Sequence, residues 1–136
     1  EVEKILKGDY AFLLYSPHSL CREFYIECTC NMMRPRTIVD YERIPWILDA
    51  GTVRITFDSD VRAAIGSYDI FDPGLPALSV LEPGKLILEV KFTEMLPQLL
   101  RDVLPPPAAE FTAVSKYVLC YEKTRYMNGF EYWYET

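Results

Sequence analysis

The stretch Leu86-Ile87-Leu88-Glu89-Val90-Lys91-Phe92 decides the fold, because it predicts a β-strand whose two faces differ in chemistry. Strand side chains alternate between the faces of a sheet. One face of this strand is apolar and carries Leu86, Leu88, Val90 and Phe92. The other face carries Ile87, Glu89 and Lys91. A carboxylate beside an ammonium in an apolar strand lies either on a wet sheet face or in a cavity that binds charged ligands.

Two further strands are predicted upstream of this one, at residues 36–43 and 53–58. In the first, Thr37, Val39, Tyr41 and Arg43 share one face, and Arg36, Ile38, Asp40 and Glu42 share the other. In the second, Val53, Ile55 and Phe57 alternate with Arg54, Thr56 and Asp58. Residues 44–51 contain Pro45 and Gly51, so we predict a connector there, which makes the two strands a hairpin with a long loop.

Helices are predicted on both sides of the strands. Residues 1–33 form a helical lead-in, in which Ser16 is the N-cap and Pro17 the first residue of an amphipathic helix. Residues 59–84 are predicted to be mostly loop, with a short strand at 65–71. Residues 95–126 carry two helices, the first capped by Thr93 or Glu94 and the second starting near Val114. The pattern predicts one α+β domain over residues 1–136, with 36–92 as its strand region.

The aromatic tail at residues 127–136 either adds a strand or is merely a chain end. The length of 136 residues suits one domain, and the formal net charge of −6 argues against a general nucleic-acid binder. A local basic pocket remains compatible with that charge. No run of eighteen apolar residues occurs, so no membrane span is predicted. The cysteines, Cys21, Cys28, Cys30 and Cys120, are interpreted as free thiols of a cytoplasmic protein rather than as a disulfide or zinc site.

The charges of the three strands would converge if the strands were neighbours in one sheet. They are Arg54 and Asp58, Glu89 and Lys91, and either Arg43 or the set Arg36, Asp40 and Glu42, joined by Lys116 from a helix start. Basic side chains bind phosphate oxygens, a carboxylate holds a divalent cation, and a helix N-terminus adds backbone N–H donors. The sequence thus suggests a site for a phosphorylated ligand with a metal ion. The alternative is a solvated sheet face with no ligand.

Four segments, in this order, resemble the VTC domain, the polyphosphate polymerase domain of bacteria and of the yeast vacuolar transporter chaperone complex. They are residues 34–43 (RPRTIVDYER), 53–60 (VRITFDSD), 86–92 (LILEVKF) and 114–117 (VSKY). The helical lead-in is similar to that of the bacterial members, and the resemblance covers about residues 1–122.

The resemblance implies an antiparallel β-barrel of the triphosphate tunnel superfamily, lined with Arg and Lys. It implies transfer of the γ-phosphate of ATP to a growing polyphosphate chain, with Mn²⁺ or Mg²⁺ as the metal. Matched motif to motif, Arg43 and Arg54 resemble tunnel arginines, Lys116 a tunnel lysine and Glu89 the metal-binding carboxylate. Lys91 shares the Glu89 face and is added as a phosphate-binding residue. Glu89, Lys116 and Arg54 are the implied catalytic residues.

Two departures from the family pattern shape the expectation. The yeast-type motif has a second Lys three residues before Lys116, where this chain has Ala113. The N-terminal half of the family's tunnel is also absent, so the chain is expected to be the C-terminal half, about half of the barrel with flanking helices. Such a fragment is expected to be inactive alone and to form homo-oligomers through its exposed sheet edges. The alternatives are a non-catalytic polyphosphate- or triphosphate-binding module and a structural fragment.

Overall fold

A computed structural model describes residues 1–49 and 52–127. Five helical elements are present in these ranges: α1 (Val2–Leu6), a 3₁₀ turn (Ala11–Tyr15), α2 (Ser19–Cys30), α3 (Gln98–Val103) and α4 (Lys116–Thr124). Four strands lie between α2 and α3: β1 (Val39–Leu48), β2 (Val53–Ala64), β3 (Ala77–Ser79) and β4 (Ile87–Lys91). The prediction of a mixed helix and strand fold is confirmed. No helix within the described ranges is long and apolar enough to cross a bilayer.

The strands form one antiparallel sheet with β2 at its centre. β1 pairs with one edge of β2, while β3 and β4 pair with different parts of the other edge. Within residues 1–49 and 52–127 this sheet is open. Closure into a tunnel, the assignment of residues 1–136 to one domain, and self-association through the strand edges therefore stay predictions.

The first two strands are longer than their sequence pattern predicted. The expected connector at residues 44–51 is wrong in most of its length, because β1 continues to Leu48 and pairs with β2 throughout. Pro45 is accommodated because β1 is an edge strand, where a missing N–H need not break the ladder. β2 likewise runs past residue 58 to Ala64. A bulge at Asp60, which has a φ of 48°, shifts the register without ending the strand.

Several predicted boundaries need correction. The short strand expected at 65–71 is not formed, and β3 lies later, at Ala77–Ser79. Ser16 does not cap α2, whose N-cap is His18. Instead the Ser16 hydroxyl accepts a hydrogen bond from the His18 backbone N–H. α3 is capped at Pro97 rather than at Thr93 or Glu94.

Two small apolar clusters hold the elements together. Tyr10, Leu13 and Cys28 join the 3₁₀ turn to α2. Val61, Ala63 and Cys120 pack α4 against one end of β2. The four cysteines of the chain are free thiols. The predicted tail, apart from Met127, lies outside the described residues.

Candidate functional site

The strand register places the predicted ionic residues on one face of the sheet. Directly opposed residues of neighbouring strands share a face. The three rows across β1, β2 and β4 are Arg43–Asp58–Ile87, Pro45–Thr56–Glu89 and Ile47–Arg54–Lys91. We call the set Arg43, Arg54, Asp58, Glu89, Lys91 and Lys116 the basic face. The other face of the same strands is apolar, with rows Ile44–Phe57–Leu88 and Trp46–Ile55–Val90.

The predicted convergence of charges is therefore present in the fold. The alternation expected in each strand is confirmed, and it brings Arg43, Arg54, Glu89 and Lys91 to the same side. Asp40 and Glu42, the other candidates on the first strand, alternate to the opposite side. Lys116 joins the face from the first position of α4. The catalytic, phosphate-binding and metal-binding roles assigned to these residues stay predictions.

Asp58 lies at the centre of the basic face and is completely buried. Arg43 donates from Nε to Oδ1 of Asp58 at 2.6 Å and from Nη2 to Oδ2 at 2.7 Å. Lys116 Nζ approaches the same Oδ2 to 2.7 Å. The hydrogen bond from Arg43, together with that from Lys116, lowers the pKa of Asp58 to about 2 despite its burial. Asp58 is consequently an anion that holds two cations.

The Tyr41 ring packs against both of those cations. The guanidinium carbon of Arg43 lies 5.0 Å from the ring centroid, and Nζ of Lys116 lies 5.2 Å from it. Both distances are within the range of cation–π attraction. Tyr41 therefore supports Arg43 and Lys116 from a second direction, while Asp58 binds their polar ends.

The position of Lys116 follows from the start of α4. Ser115 is the N-cap, and its hydroxyl accepts a hydrogen bond from the Val118 backbone N–H at 3.3 Å. This cap fixes the first turn of the helix. Cys120, one turn further on, is buried against β2. Capping and packing together direct the start of α4 towards the basic face.

Glu89 and Lys91 form an ion pair on β4 at 2.9 Å. The hydrogen bond from Lys91 lowers the pKa of Glu89, and the positive charges of Lys116 and Arg43 add to the effect. The pKa of Glu89 is thus lowered by Arg43 and Lys116 of the Asp58 cluster as well as by its own partner, Lys91. Its side chain is 35% exposed, so the carboxylate is ionised and reachable from solvent.

Arg54 is an exposed cation of the basic face. It lies on β2 directly opposite Lys91 of β4. Its guanidinium makes no hydrogen bond or ion pair with any residue in the part of the chain that the structure describes. Its five N–H donors therefore remain available to an external anion.

The family model described as the VTC domain matches residues 2–125. This chain belongs to the VTC domain family. The resemblance inferred from the four sequence segments is thereby confirmed, and the chain is a polyphosphate polymerase-like domain. No curated protein and no solved structure matches the chain significantly.

The sequence analysis placed Asp58 among the converging charges but did not predict its burial, and it gave no role to Thr56 or Tyr41. Asp58 and Thr56 are both buried. The hydroxyl of Thr56, beside Glu89 in the register, has no hydrogen-bond partner among the described residues. Tyr41 was assigned to the correct face but not to a role. The Tyr-x-Arg and Arg-x-Thr-x-Asp spacings were the available signals, because they place all five side chains on one face.

The balance of charge on the basic face is opposite to that of the whole VTC domain. Four cations and two carboxylates leave a surplus of two positive charges there, whereas the chain carries a formal net charge of −6. Such local concentration of one sign attracts ligands of the other sign. An arrangement of Arg and Lys around ionised carboxylates can bind a polyanion and a cation together.

Proposed function

We propose that the basic face binds the phosphate chains of ATP and inorganic polyphosphate, and that the complete protein transfers the γ-phosphate of ATP to a growing polyphosphate chain. The observation that carries the proposal is the Arg43–Asp58–Lys116 cluster, which fixes two cations on a face with surplus positive charge. Membership of the VTC domain family supports the same conclusion.

The proposed phosphate contacts follow from the donors left unused. Arg43 donates from Nε and Nη2 to Asp58, so its Nη1 group is available to donate to a phosphate oxygen. Lys116 has further N–H donors beside the one that Asp58 accepts. Arg54 has its whole guanidinium available, and Lys91 lies opposite it. A chain of phosphates would thus run along β2, from the Asp58 cluster to the Arg54–Lys91 end.

The proposed reaction is an in-line phosphoryl transfer. A terminal oxygen of polyphosphate attacks the γ-phosphorus of ATP and forms a new P–O bond. The bond from that phosphorus to the β–γ bridging oxygen breaks, and ADP leaves with the electron pair. Catalysis of this step depends on positioning and on stabilising negative charge. Lys116 and Arg54 are proposed to supply that stabilisation.

Glu89 is the proposed ligand of a divalent metal ion. No group of three His, Cys, Asp or Glu side chains able to hold a metal exists within the described ranges. Mg²⁺, however, commonly binds through one or two carboxylates and completes its shell with phosphate oxygens and water. The ionised, partly exposed carboxylate of Glu89 fits that requirement. Mn²⁺ or Mg²⁺ held there would neutralise phosphate oxygens.

A tunnel around the basic face is proposed from the distribution of apolar residues. The opposite face of the sheet borders α3 across an apolar cleft of about 480 Å³. Its lining includes Trp46, Ile55 and Phe57 from the sheet and Leu100 and Val103 from α3. A helix packed on the apolar face of the sheet, with charged side chains on the opposite face, is the arrangement expected of a barrel with a polar lumen.

Isothermal titration of the chain with tripolyphosphate, with and without Mn²⁺, tests binding. We expect salt-sensitive binding that Arg54→Ala weakens. Arg62→Ala is the matched control, since Arg62 lies on the same strand but pairs with Asp40 and Asp60. Equal loss of affinity in both variants, or no binding by the wild type, would contradict the proposal.

Polyphosphate formation from ATP and Mn²⁺ by the complete gene product tests the chemistry. We expect Glu89→Ala to abolish synthesis. Binding without synthesis would indicate a non-catalytic polyphosphate-binding module. If the protein showed neither binding nor synthesis, the result would indicate a structural role.

A further inference from the structure

We propose that Asp58 is a positioning residue, which holds Arg43 and Lys116 in place for a phosphate group before any ligand arrives. The inference rests on the proposed function of the basic face. It adds a residue to the site that acts through its neighbours rather than by touching the ligand.

Burial separates the role of Asp58 from that of its partners. The carboxylate of Asp58 has no exposed surface, whereas the side chains of Arg43 and Lys116 are 28% and 19% exposed. A ligand on the sheet face can therefore reach the two cations but not the carboxylate beneath them. Both oxygens of this buried carboxylate accept from cations, so Asp58 is not accessible to a metal ion from solution.

The two cations are held close together by a shared atom. Nη2 of Arg43 and Nζ of Lys116 both lie 2.7 Å from Oδ2 of Asp58. Two positive groups at such a separation repel each other unless an anion lies between them. Asp58 supplies that anion, and Tyr41 limits the remaining freedom of both side chains. The N–H donors of Arg43 and Lys116 that Asp58 does not accept are therefore held in fixed positions. This reduces the entropy lost when phosphate binds.

Positioning and simple electrostatics predict opposite effects of removing this charge. Asp58 is an anion beneath a site for anions, so if only its charge mattered, its neutralisation would tighten polyanion binding. If Asp58 orients Arg43 and Lys116, neutralisation would instead weaken binding, because the two cations would separate. The sign of the change in affinity distinguishes the two explanations.

The test is isothermal titration of the 136-residue chain with tripolyphosphate, comparing Asp58→Asn with wild type. We expect affinity to fall about tenfold, the lower end of the effect of losing a group that orients a ligating residue. Asp60→Asn is the matched control. It removes the same charge from the same strand, Asn tolerates the positive φ at this position, and Asp60 contacts Arg62 instead of the cluster. The control is expected to bind like wild type.

The outcomes separate this inference from the proposed function. Unchanged or tighter binding by Asp58→Asn, with normal binding by wild type, overturns the inference alone. Absence of binding by wild type overturns the proposed function and the inference together. An equal loss in Asp58→Asn and Asp60→Asn also overturns the inference, since position within the cluster would then not matter.

A second measurement needs no variant and remains decisive if Asp58→Asn does not fold. Nitrogen relaxation of the arginine Nε–H groups in the ligand-free wild type reports the order of each guanidinium. We expect Arg43 to be ordered and its Nε–H protected from exchange, because it donates to a buried carboxylate. We expect Arg54 to be mobile. Equal mobility of the two guanidinium groups would overturn the inference. Any loss of overall stability in Asp58→Asn does not affect this comparison, because both groups are measured in the wild type.

Discussion

Arg54 and Lys91 lie directly opposite each other on the antiparallel strands β2 and β4. Like charges in opposed cross-strand positions destabilise a sheet. Lys91 is partly compensated by its ion pair with Glu89, but Arg54 has no such partner in the described part of the chain. A cross-strand pair of like charges that lowers stability is typical of a binding site, where function requires residues that do not favour the fold.

The first prediction concerns this opposed pair. Arg54→Thr is expected to stabilise the fold by roughly 0.5 kcal/mol, because it removes a like charge and introduces a β-branched residue into a strand. The same change is expected to weaken tripolyphosphate binding. Urea unfolding and calorimetric titration measure the two effects.

Arg62→Thr is the control for that substitution. It lies on the same strand, but its guanidinium pairs with Asp40 at 2.7 Å. We expect it to leave affinity unchanged and stability slightly lower. If Arg54→Thr destabilised the fold as much as Arg62→Thr, the opposed charges would not be a source of strain.

The second prediction concerns the metal. Glu89→Gln is expected to abolish any increase of tripolyphosphate affinity by Mn²⁺, because the one ionised carboxylate exposed on the basic face is lost. Binding without metal is expected to persist, since Lys91 gains freedom and the face gains positive charge. Titrations with and without Mn²⁺ measure the difference.

Glu82→Gln provides the comparison for the metal test. Glu82 also pairs with a lysine, Lys85, but lies in the loop before β4. Its substitution is expected to preserve the Mn²⁺ effect. Persistence of that effect in Glu89→Gln would contradict the assignment of the metal to Glu89.

The third prediction concerns acid stability. The pKa of Asp58 is lowered from 3.8 to about 2 in the fold, so its contribution to stability is complete above about pH 4. The contribution is lost as the pH falls from about 4 to 2, because the unfolded chain binds the proton more readily there. It amounts to roughly 2 kcal/mol.

Urea unfolding between pH 6 and pH 2 checks this dependence. Asp58→Asn is expected to be less stable at pH 6 and to show a flatter decline below pH 4. A decline as steep as that of wild type would assign the acid sensitivity to other carboxylates.

The fourth prediction concerns the thiols. Burial raises the pKa of Cys28 and of Cys120, and both side chains lie in the two core clusters. Cys30 is exposed. We expect Cys30 to react first with a thiol reagent in the folded protein, and Cys28 and Cys120 only after unfolding, since the thiolate is the reactive form.

Mass spectrometry of the labelled peptides over time measures the order of reaction. Urea-unfolded protein, in which all thiols are accessible, sets the reference rates. Rapid labelling of Cys120 in the folded protein would show that α4 does not pack stably on β2.

The ionic site was largely predictable, because it depends on the side chains of single strands. Glu89 and Lys91 share a face through alternation alone, and the same holds for Arg54 and Asp58. The extent of the strands was less predictable. Pro45 signals a loop in isolation, yet it continues β1 because the strand lies at an edge and pairs with β2.

The sequence alone determined which residues share a face, since alternation is a property of the extended backbone. It also determined the family, through four short segments in a fixed order. The tertiary structure decided that β1, β2 and β4 are neighbours, that Asp58 is buried, and that Lys116 reaches it from α4. The physical reason is that a charge can be buried only where opposite charges meet it, and here they come from a neighbouring strand and a distant helix.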